Sequence, residues 1–183
     1  MVRAFVAIRP PESVLDAIAE RVASVALRGG RTTTRDQWHI TVQFLGDDVD
    51  VDEVASALQS EPFDVGPGEV AFGGAGPLGA RRRSRILMVG VREGADWVRA
   101  LASEVEARLT PIGYGRDDRQ PVFVPHLTLA RFREPTDLRR LAAEFGPDPV
   151  GPSWEVEEMV LYESELRPEG ARHTARTRVS VRH

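Results

Sequence analysis

Two short stretches of the chain carry the same pattern of a histidine, an aliphatic residue, a threonine and a second aliphatic residue. They are HITV, from His39 to Val42, and HLTL, from His126 to Leu129, and the two histidines are 87 positions apart. Because successive side chains of a strand point to opposite faces, each stretch, as a strand, presents an imidazole and a hydroxyl on one face and aliphatic groups on the other. A single copy is typical of a structural histidine, but two copies with matching flanks predict a shared function.

The residue types in these stretches suit phosphoryl chemistry. Two imidazoles facing each other across a cleft can act as one general base and one general acid, because their ordinary pKa of about 6.5 suits both roles near neutral pH. The hydroxyls of Thr41 and Thr128 can each donate a hydrogen bond to a non-bridging phosphoryl oxygen. This set predicts in-line displacement at a phosphodiester. A five-membered cyclic phosphate is a natural substrate, because its ring is strained and needs no metal to open.

Metal binding is the main chemical alternative. Neutral imidazoles bind zinc, and Asp36, Asp47 and Asp48 lie near His39 in the sequence. However, threonine is a poor zinc ligand, the spacing matches no known ligand pattern, and the chain has no cysteine. We therefore expect no metal. A serine-based triad is not indicated either, because the sequence contains no G-x-S-x-G motif.

A glycine-rich stretch, GAGPLG at residues 74–79, matches the dinucleotide-binding pattern G-x-G-x-x-G. That pattern binds a pyrophosphate only when a helix begins directly after it. Here a basic turn and another strand are predicted to follow, so the stretch is interpreted as a connection and no cofactor is expected.

The composition excludes other functions. The chain has no lysine, which rules out Schiff bases, lysyl-nucleotide intermediates and a P-loop lysine. A net charge of −4 is unlike that of a polycation that binds duplexes non-specifically, so contact with nucleic acid must come from a local patch. Arg81, Arg82, Arg83 and Arg85 either follow an RNA backbone or form a solvated turn. Without cysteines, a membrane-length apolar run or a signal-peptide pattern, the sequence predicts a cytoplasmic protein.

The elements that position the histidines occur twice in the same order. Hydrophobic periodicity predicts a strand, a helix, a histidine strand, a helix and a strand, at 3–8, 12–27, 37–46, 51–58 and 69–73. The second series is predicted at 85–91, 98–109, 124–132, 138–145 and 153–164, with a last strand at 173–181. The repeated order suggests an old duplication with a pseudo-twofold axis within a single domain.

Strict alternation also makes predictions about individual residues. It places Ile40, Val42 and Phe44 on the buried face of the first histidine strand, so core packing is favoured over base stacking for Phe44, as it is for Phe5 and Phe123. The same rule puts Arg131 on the face opposite His126. Either the second strand bends or Arg131 serves elsewhere.

The paired His-x-Thr-x stretches resemble those of the 2H phosphoesterase superfamily. Within it, the chain is similar to the RNA 2′,3′-cyclic phosphodiesterases, historically called 2′-5′ RNA ligases and represented by LigT-like proteins. The similarity extends over RAFVAIRPPESV, WHITVQFLGD, RRRSRILMVGV, PVFVPHLTLAR and LYESELRPEGARHT. Ile40 and Val42 replace the more usual leucines, and His173 stands where an aromatic residue, usually tyrosine, is common.

The resemblance implies a bilobal α+β fold in residues 1–183, with two antiparallel sheets flanking a central cleft and helices outside. It implies metal-independent hydrolysis of a terminal 2′,3′-cyclic phosphate of RNA to a 2′-phosphate. By analogy His39 is the proton donor and His126 the proton acceptor, and Thr41, Thr128 and Arg131 bind the substrate.

The expected partners are RNA 3′ ends bearing a cyclic phosphate, or nucleoside 2′,3′-cyclic phosphates, bound by a monomer. Any 2′-5′ joining must be ATP-independent and reverse the cyclic phosphate chemistry with the same histidines, because no lysine is present to carry a nucleotide. The alternatives are a non-catalytic protein that binds RNA ends or 2′-phosphates, a 2H enzyme acting on a small cyclic nucleotide, and a metal-dependent hydrolase.

Overall fold

The structure is a computed structural model that describes residues 2–79, 82–116, 122–168 and 170–181. The described residues form nine strands, four helices and two short 3₁₀ turns. The strands are β1 (Val2–Ile8), β2 (Gly30–Thr32), β3 (Ile40–Val49), β4 (Gly68–Pro77), β5 (Ser84–Glu93), β6 (His126–Thr136), β7 (Val150–Val156), β8 (Glu158–Arg167) and β9 (Gly170–Ser180). The helices are α1 (Glu12–Ala23), α2 (Val51–Leu58), α3 (Ala95–Leu109) and α4 (Arg139–Phe145). The 3₁₀ turns are Arg35–Gln37 and Thr110–Ile112.

The strands form a curled antiparallel sheet in the order β7-β4-β5-β6-β3-β1-β8-β9, with β2 added on β6. The two histidine strands, β3 and β6, are joined by a single residue pair, Ile40 with Leu127, and diverge beyond it. The predicted α+β class is confirmed. The two predicted sheets are the two four-stranded halves of this one sheet, β7-β4-β5-β6 and β3-β1-β8-β9. They meet at the single residue pair between β6 and β3.

The halves have the same strand order from the junction outward. The histidine strand is innermost, the strand that leads each series (β1 or β5) is next, and β8 or β4 follows. A duplication that produced the two halves, and their description as a single domain, stay predictions.

The helices cover one face of the sheet, and the other face is left open. α1 packs on β7, α3 on β3 and α4 on β4, and buried residues of both halves join in one hydrophobic cluster. Ile40, Val42, Leu127 and Leu129 are each at most 1% exposed, so the predicted aliphatic face of each His-x-Thr stretch is confirmed. The opposite face carries the histidines.

Local interactions explain where several elements begin. Pro11 precedes α1 with an extended backbone, and its ring favours the start of a helix because it needs no hydrogen-bond partner for an N–H. Asp50 caps α2, where its Oδ1 accepts hydrogen bonds from the backbone N–H groups of Asp52 and Glu53, both at 3.1 Å. This acceptor satisfies donors that a helix start otherwise leaves unpaired.

Three predictions about elements were wrong. The single strand predicted at 153–164 is two strands, β7 and β8, separated at Glu157. β7 pairs with β4 in one half and β8 with β1 and β9 in the other, so the chain crosses between the halves at that residue. The first helix ends at Ala23 rather than near residue 27. Between the helix and strand predicted at 12–27 and 37–46 no element was predicted, but the chain there forms β2 and enters a 3₁₀ turn at Arg35–Gln37.

The interpretation of residues 74–79 as a connection was also wrong in part, because residues 74–77 belong to strand β4. The next element that the structure describes is strand β5 rather than a helix, as predicted. Among the described helices, none combines the length and the apolar content needed to cross a bilayer.

Candidate active site

The open face of the sheet forms a cleft of about 670 Å³. His39, Thr41, His126, Thr128 and Arg131 all line it. The structure therefore brings the five site residues predicted from the sequence into one cavity, although they come from opposite halves of the chain. The hydroxyls of Thr41 and Thr128 have no hydrogen-bond partner within the described part of the chain, so both are available to a ligand.

His39 lies directly before β3, at the end of a fixed approach segment. Thr34 and Gln37 form a capping box around the 3₁₀ turn, and the Gln37 side-chain amide donates to the Ala171 carbonyl oxygen at 2.6 Å. These contacts tie the residues before His39 to β9. The imidazole packs on the ring of Phe5, with centroids 4.7 Å apart, and meets the ring of His173 edge-on at 5.3 Å.

These surroundings keep the His39 ring uncharged in the free protein. Burial, followed by the positive charge of His173, lowers the pKa of His39 to about 3. A hydrogen bond to the backbone of Gln37 opposes this shift, and the charge of Arg131 adds to it.

His126 is held in a similar way at the start of β6. Its Nδ1 lies 2.6 Å from the Val124 carbonyl oxygen, and because a carbonyl oxygen only accepts, Nδ1 carries the proton and donates. In the neutral ring Nε2 then keeps its lone pair. Burial lowers the pKa of His126, while this hydrogen bond opposes the shift. Each catalytic candidate thus contacts the backbone two residues upstream, which fixes its ring and leaves the other nitrogen for the cleft.

A β-bulge follows each His-x-Thr stretch at the same position. In β6, Thr128 pairs with Met88 but Ala130 pairs with Leu87, so Leu129 is an extra residue. In β3, Thr41 pairs with Ala7 but Gln43 pairs with Val6, so Val42 is the extra residue. A bulge places two residues opposite one and breaks the alternation of faces.

The bulges decide the orientation of the fifth residue after each histidine. Leu129 and Ala130 are both fully buried, and Arg131 therefore points into the cleft on the same side as His126. In the other strand Val42 and Gln43 are buried, and Phe44 lines the cleft with 48% of its surface exposed. The prediction that Phe44 packs in the core was wrong, and the strand bend considered for Arg131 is present.

The cleft has a strongly positive lining on a protein with a net charge of −4. No aspartate or glutamate is found among the described residues that line it. The arginines that line it are Arg3, Arg31, Arg131, Arg133 and Arg167. Arginine guanidinium groups offer fixed, planar sets of donors suited to phosphate, so the cleft is built for an anion.

The basic cluster predicted from the sequence lies elsewhere. Arg82, Arg83 and Arg85 are exposed near the β4–β5 turn and do not line the cleft. Arg85 lies 4.0 Å from the Glu134 carboxylate, and Arg81 is outside the described residues.

The other two phenylalanines considered for base stacking pack in the core, as predicted. Phe123 is half-buried and lies against the core. Phe5 is 3% exposed, although its ring also reaches the cleft.

Sequence reasoning missed the cleft positions of Arg3, Arg31, Arg133 and His173. Arg31 comes from β2, between the elements predicted at 12–27 and 37–46, so no periodicity indicated it. His173 replaces the aromatic residue common in the family, and its Nδ1 is buried without a hydrogen-bond partner among the described residues.

The carboxylates considered as metal ligands do not converge on His39. Asp36, Asp47 and Asp48 are exposed and do not line the cleft, and Asp47 instead pairs with Arg3 at 3.1 Å. Within the described residues, no group of three or more His, Asp, Glu or Cys side chains is arranged to hold a metal ion.

A curled antiparallel sheet with two His-x-Thr strands facing one arginine-lined cleft defines the two-histidine class of phosphoesterases. The family model described as the 2'-5' RNA ligase superfamily matches residues 10–168, and the chain belongs to this superfamily. The resemblance found in the sequence is thereby confirmed.

Relatives support the same class. The chain is 32% identical to the RNA 2',3'-cyclic phosphodiesterase of Aquifex aeolicus over 95% of this chain and 94% of the relative. It is 30% identical to the protein of the same name from Aeropyrum pernix, over 76% of this chain and 80% of the relative. The prediction that the chain is an enzyme of the phosphodiesterase class is confirmed by these relatives.

Solved structures show the same fold. TT0787 of Thermus thermophilus superimposes with a TM-score of 0.77 at 27% identity, over 98% of both chains. E. coli LigT complexed with 3'-AMP superimposes with a TM-score of 0.76 at 24% identity, over 100% of this chain and 99% of that one.

Proposed function

We propose that this protein hydrolyses the terminal 2′,3′-cyclic phosphate of RNA to a 2′-phosphate by paired-histidine acid–base catalysis, without a metal ion. The observation that carries the proposal is that His39 and His126 line one arginine-rich cleft and that each forms a hydrogen bond to the backbone two residues upstream. The names of the relatives supply the substrate class.

The proposed reaction is a single in-line displacement. His126 Nε2 accepts a proton from water as the water oxygen forms a bond to phosphorus. The bond from phosphorus to the 3′ oxygen breaks, and His39 gives its proton to that oxygen. The product is a 2′-phosphate monoester and a free 3′-hydroxyl, and the two histidines regain their starting states by proton exchange with solvent.

The remaining cleft residues bind and orient the phosphate. The free hydroxyls of Thr41 and Thr128 donate to the two non-bridging oxygens, and Arg131, which lines the same cleft, adds positive charge beside them. Because the charges of His173 and Arg131 help to hold the pKa of His39 low, a bound phosphate anion raises it by favouring the imidazolium. His39 therefore acquires its catalytic proton together with the substrate.

Phe44 is suited to bind the base of the terminal nucleotide. Its ring is exposed at the cleft, and the Arg3 guanidinium lies over it, 4.6 Å from the ring centroid. This cation–π contact fixes the ring, and stacking on an aromatic face tolerates any base.

The central experiment is turnover of an oligoribonucleotide ending in a 2′,3′-cyclic phosphate, with identification of the product. We expect a 2′-phosphate, no effect of EDTA, and a loss in kcat of about 10²–10⁴-fold for His39→Ala or His126→Ala. Arg140→Gln is the matched control, because Arg140 is exposed on α4 and lies outside the cleft. Full activity of either histidine variant, or a 3′-phosphate product, would refute the mechanism.

A substrate with sulfur in place of the 3′ oxygen separates the roles of the two histidines. A thiolate leaves without a proton, so this substrate is expected to restore activity to His39→Ala and not to His126→Ala. Rescue of His126→Ala instead would reverse the assignment. The same assays with a 5′-hydroxyl RNA as acceptor test ATP-independent 2′-5′ joining.

A further inference from the structure

Two cleft arginines face each other across neighbouring strands. Arg31 on β2 is the direct antiparallel partner of Arg131 on β6, and both line the cleft. In the part of the chain that the structure describes, neither forms an ion pair with a carboxylate. Like charges directly opposite each other destabilise a sheet, so this arrangement stores repulsion that a bound anion would relieve.

The chain is shaped to hold Arg31 in this place. A Cβ at Gly30 would lie 2.6 Å from the Phe132 ring, and a Cβ at Gly170 would overlap the Arg31 guanidinium. Glycine at these two positions lets β2 lie close to β6 and lets the guanidinium pass over the β8–β9 turn. Thr33 anchors the end of β2, because its Oγ1 donates to the Thr128 carbonyl oxygen at 2.6 Å.

The arginine pair borders the catalytic centre. Arg131 is three residues beyond Thr128 on β6, but Leu129 is the extra residue of a bulge, so the separation is about two strand positions, roughly 7 Å at the usual rise per residue. The reacting phosphate must contact both histidines and both threonine hydroxyls, which leaves the arginine pair for a second anionic group of the same ligand. Arg133, which also lines the cleft, continues the positive surface away from the histidines.

We propose that Arg31 and Arg131 form a subsite for a second phosphate, the internucleotide phosphodiester that joins the terminal nucleotide to the rest of the RNA. This inference rests on the proposed function and adds that the enzyme also binds the RNA backbone upstream of the cyclic phosphate. The same chemistry would accept a 5′-phosphate on a mononucleotide, so the test includes both sources.

The test compares two dinucleotides that end in a 2′,3′-cyclic phosphate, one with a normal phosphodiester linkage and one with an uncharged methylphosphonate linkage. We expect the unmodified protein to prefer the charged linkage by about tenfold in kcat/KM, the size of one charge-assisted hydrogen bond. Arg31→Gln should reduce this preference to within about twofold, whereas Arg140→Gln should retain it. Using the ratio removes any general loss of activity.

A nucleoside 2′,3′-cyclic phosphate, with and without a 5′-phosphate, forms the second arm. An equal gain from the 5′-phosphate and from the phosphodiester would show that the subsite reads any second phosphate, and would overturn the internucleotide assignment. A kcat/KM ratio near one between the charged and the uncharged linkage in the unmodified protein would refute the subsite. A ratio that Arg31→Gln leaves unchanged would also refute it. If the unmodified protein turned over none of these substrates, the proposed function itself would fail.

Discussion

Acidification from pH 8 to pH 5 is expected to destabilise the fold through His39. Burial and the nearby positive charges of His173 and Arg131 lower the pKa of His39 from 6.5 to about 3, whereas the unfolded chain keeps the ordinary value. Between pH 3 and pH 6.5 the unfolded state binds more protons than the folded state. The stability that the neutral ring provides is therefore present above pH 6.5 and is lost as the pH falls toward 3.

The size of the loss at pH 5 follows from the two protonation equilibria. In the unfolded chain the imidazole is protonated about 30 to 1, while in the folded chain it stays almost wholly neutral. Proton binding thus favours unfolding by about 30-fold, or roughly 2 kcal/mol. For a chain of this size the midpoint of thermal unfolding should fall by about 4–8 °C. The pKa values of His126 and His173 are also lowered, so acidification reduces the free energy of unfolding through these two residues as well.

Urea unfolding at pH 8 and pH 5, in the unmodified protein and in His39→Asn, isolates this contribution. Asparagine does not titrate, so the variant should lose about 2 kcal/mol less than the unmodified protein over this pH change, whatever the cost of the substitution at pH 8. Arg140→Gln should show the full loss. Equal losses in the unmodified protein and His39→Asn, or an NMR titration of His39 with a midpoint near 6.5, would refute the reasoning.

Two further predictions concern the ligand. Addition of a nucleoside 2′-phosphate, the product of the proposed reaction, should raise the pKa of His39 by at least about one unit in an NMR titration, because an anion favours the imidazolium; an unchanged value would contradict the proposed proton supply. Phe44→Ala should raise KM for a nucleoside 2′,3′-cyclic phosphate by about fivefold or more with little change in kcat, and Phe44→Trp should restore KM, since base stacking contributes about 1–3 kcal/mol.

The sequence predicted that His39 and His126 share one cleft but did not predict the other residues that line it, and the bulges explain part of the difference. Alternation holds from His39 to Val42 and from His126 to Leu129, where the aliphatic residues are buried and the histidines and threonines line the cleft. It fails one residue later in each case. A bulge is determined by pairing with the neighbouring strand, and no residue type in either stretch marks it.

Arg31 was hidden for a related reason. Its role depends on pairing between β2 and β6, about 100 residues apart in the chain, and β2 is only three residues long. So short a strand has no readable period. The division of the predicted strand 153–164 has the same origin, because a one-residue crossing at Glu157 leaves the alternation of the sequence almost unbroken.

The two bulges also bear on which histidine acts as acid. The histidines have matching anchors and lowered pKa values, so their own surroundings do not distinguish a donor from an acceptor. The residues that the bulges turn into the cleft do differ, since Phe44 offers a ring face on one side and Arg131 a guanidinium on the other. A nucleotide that places its base on Phe44 and its upstream phosphate at Arg131 can lie in the cleft in only one direction. The direction determines which imidazole meets the 3′ oxygen. We therefore propose that Phe44 and Arg131, rather than the two similar histidines, determine which histidine acts as the acid.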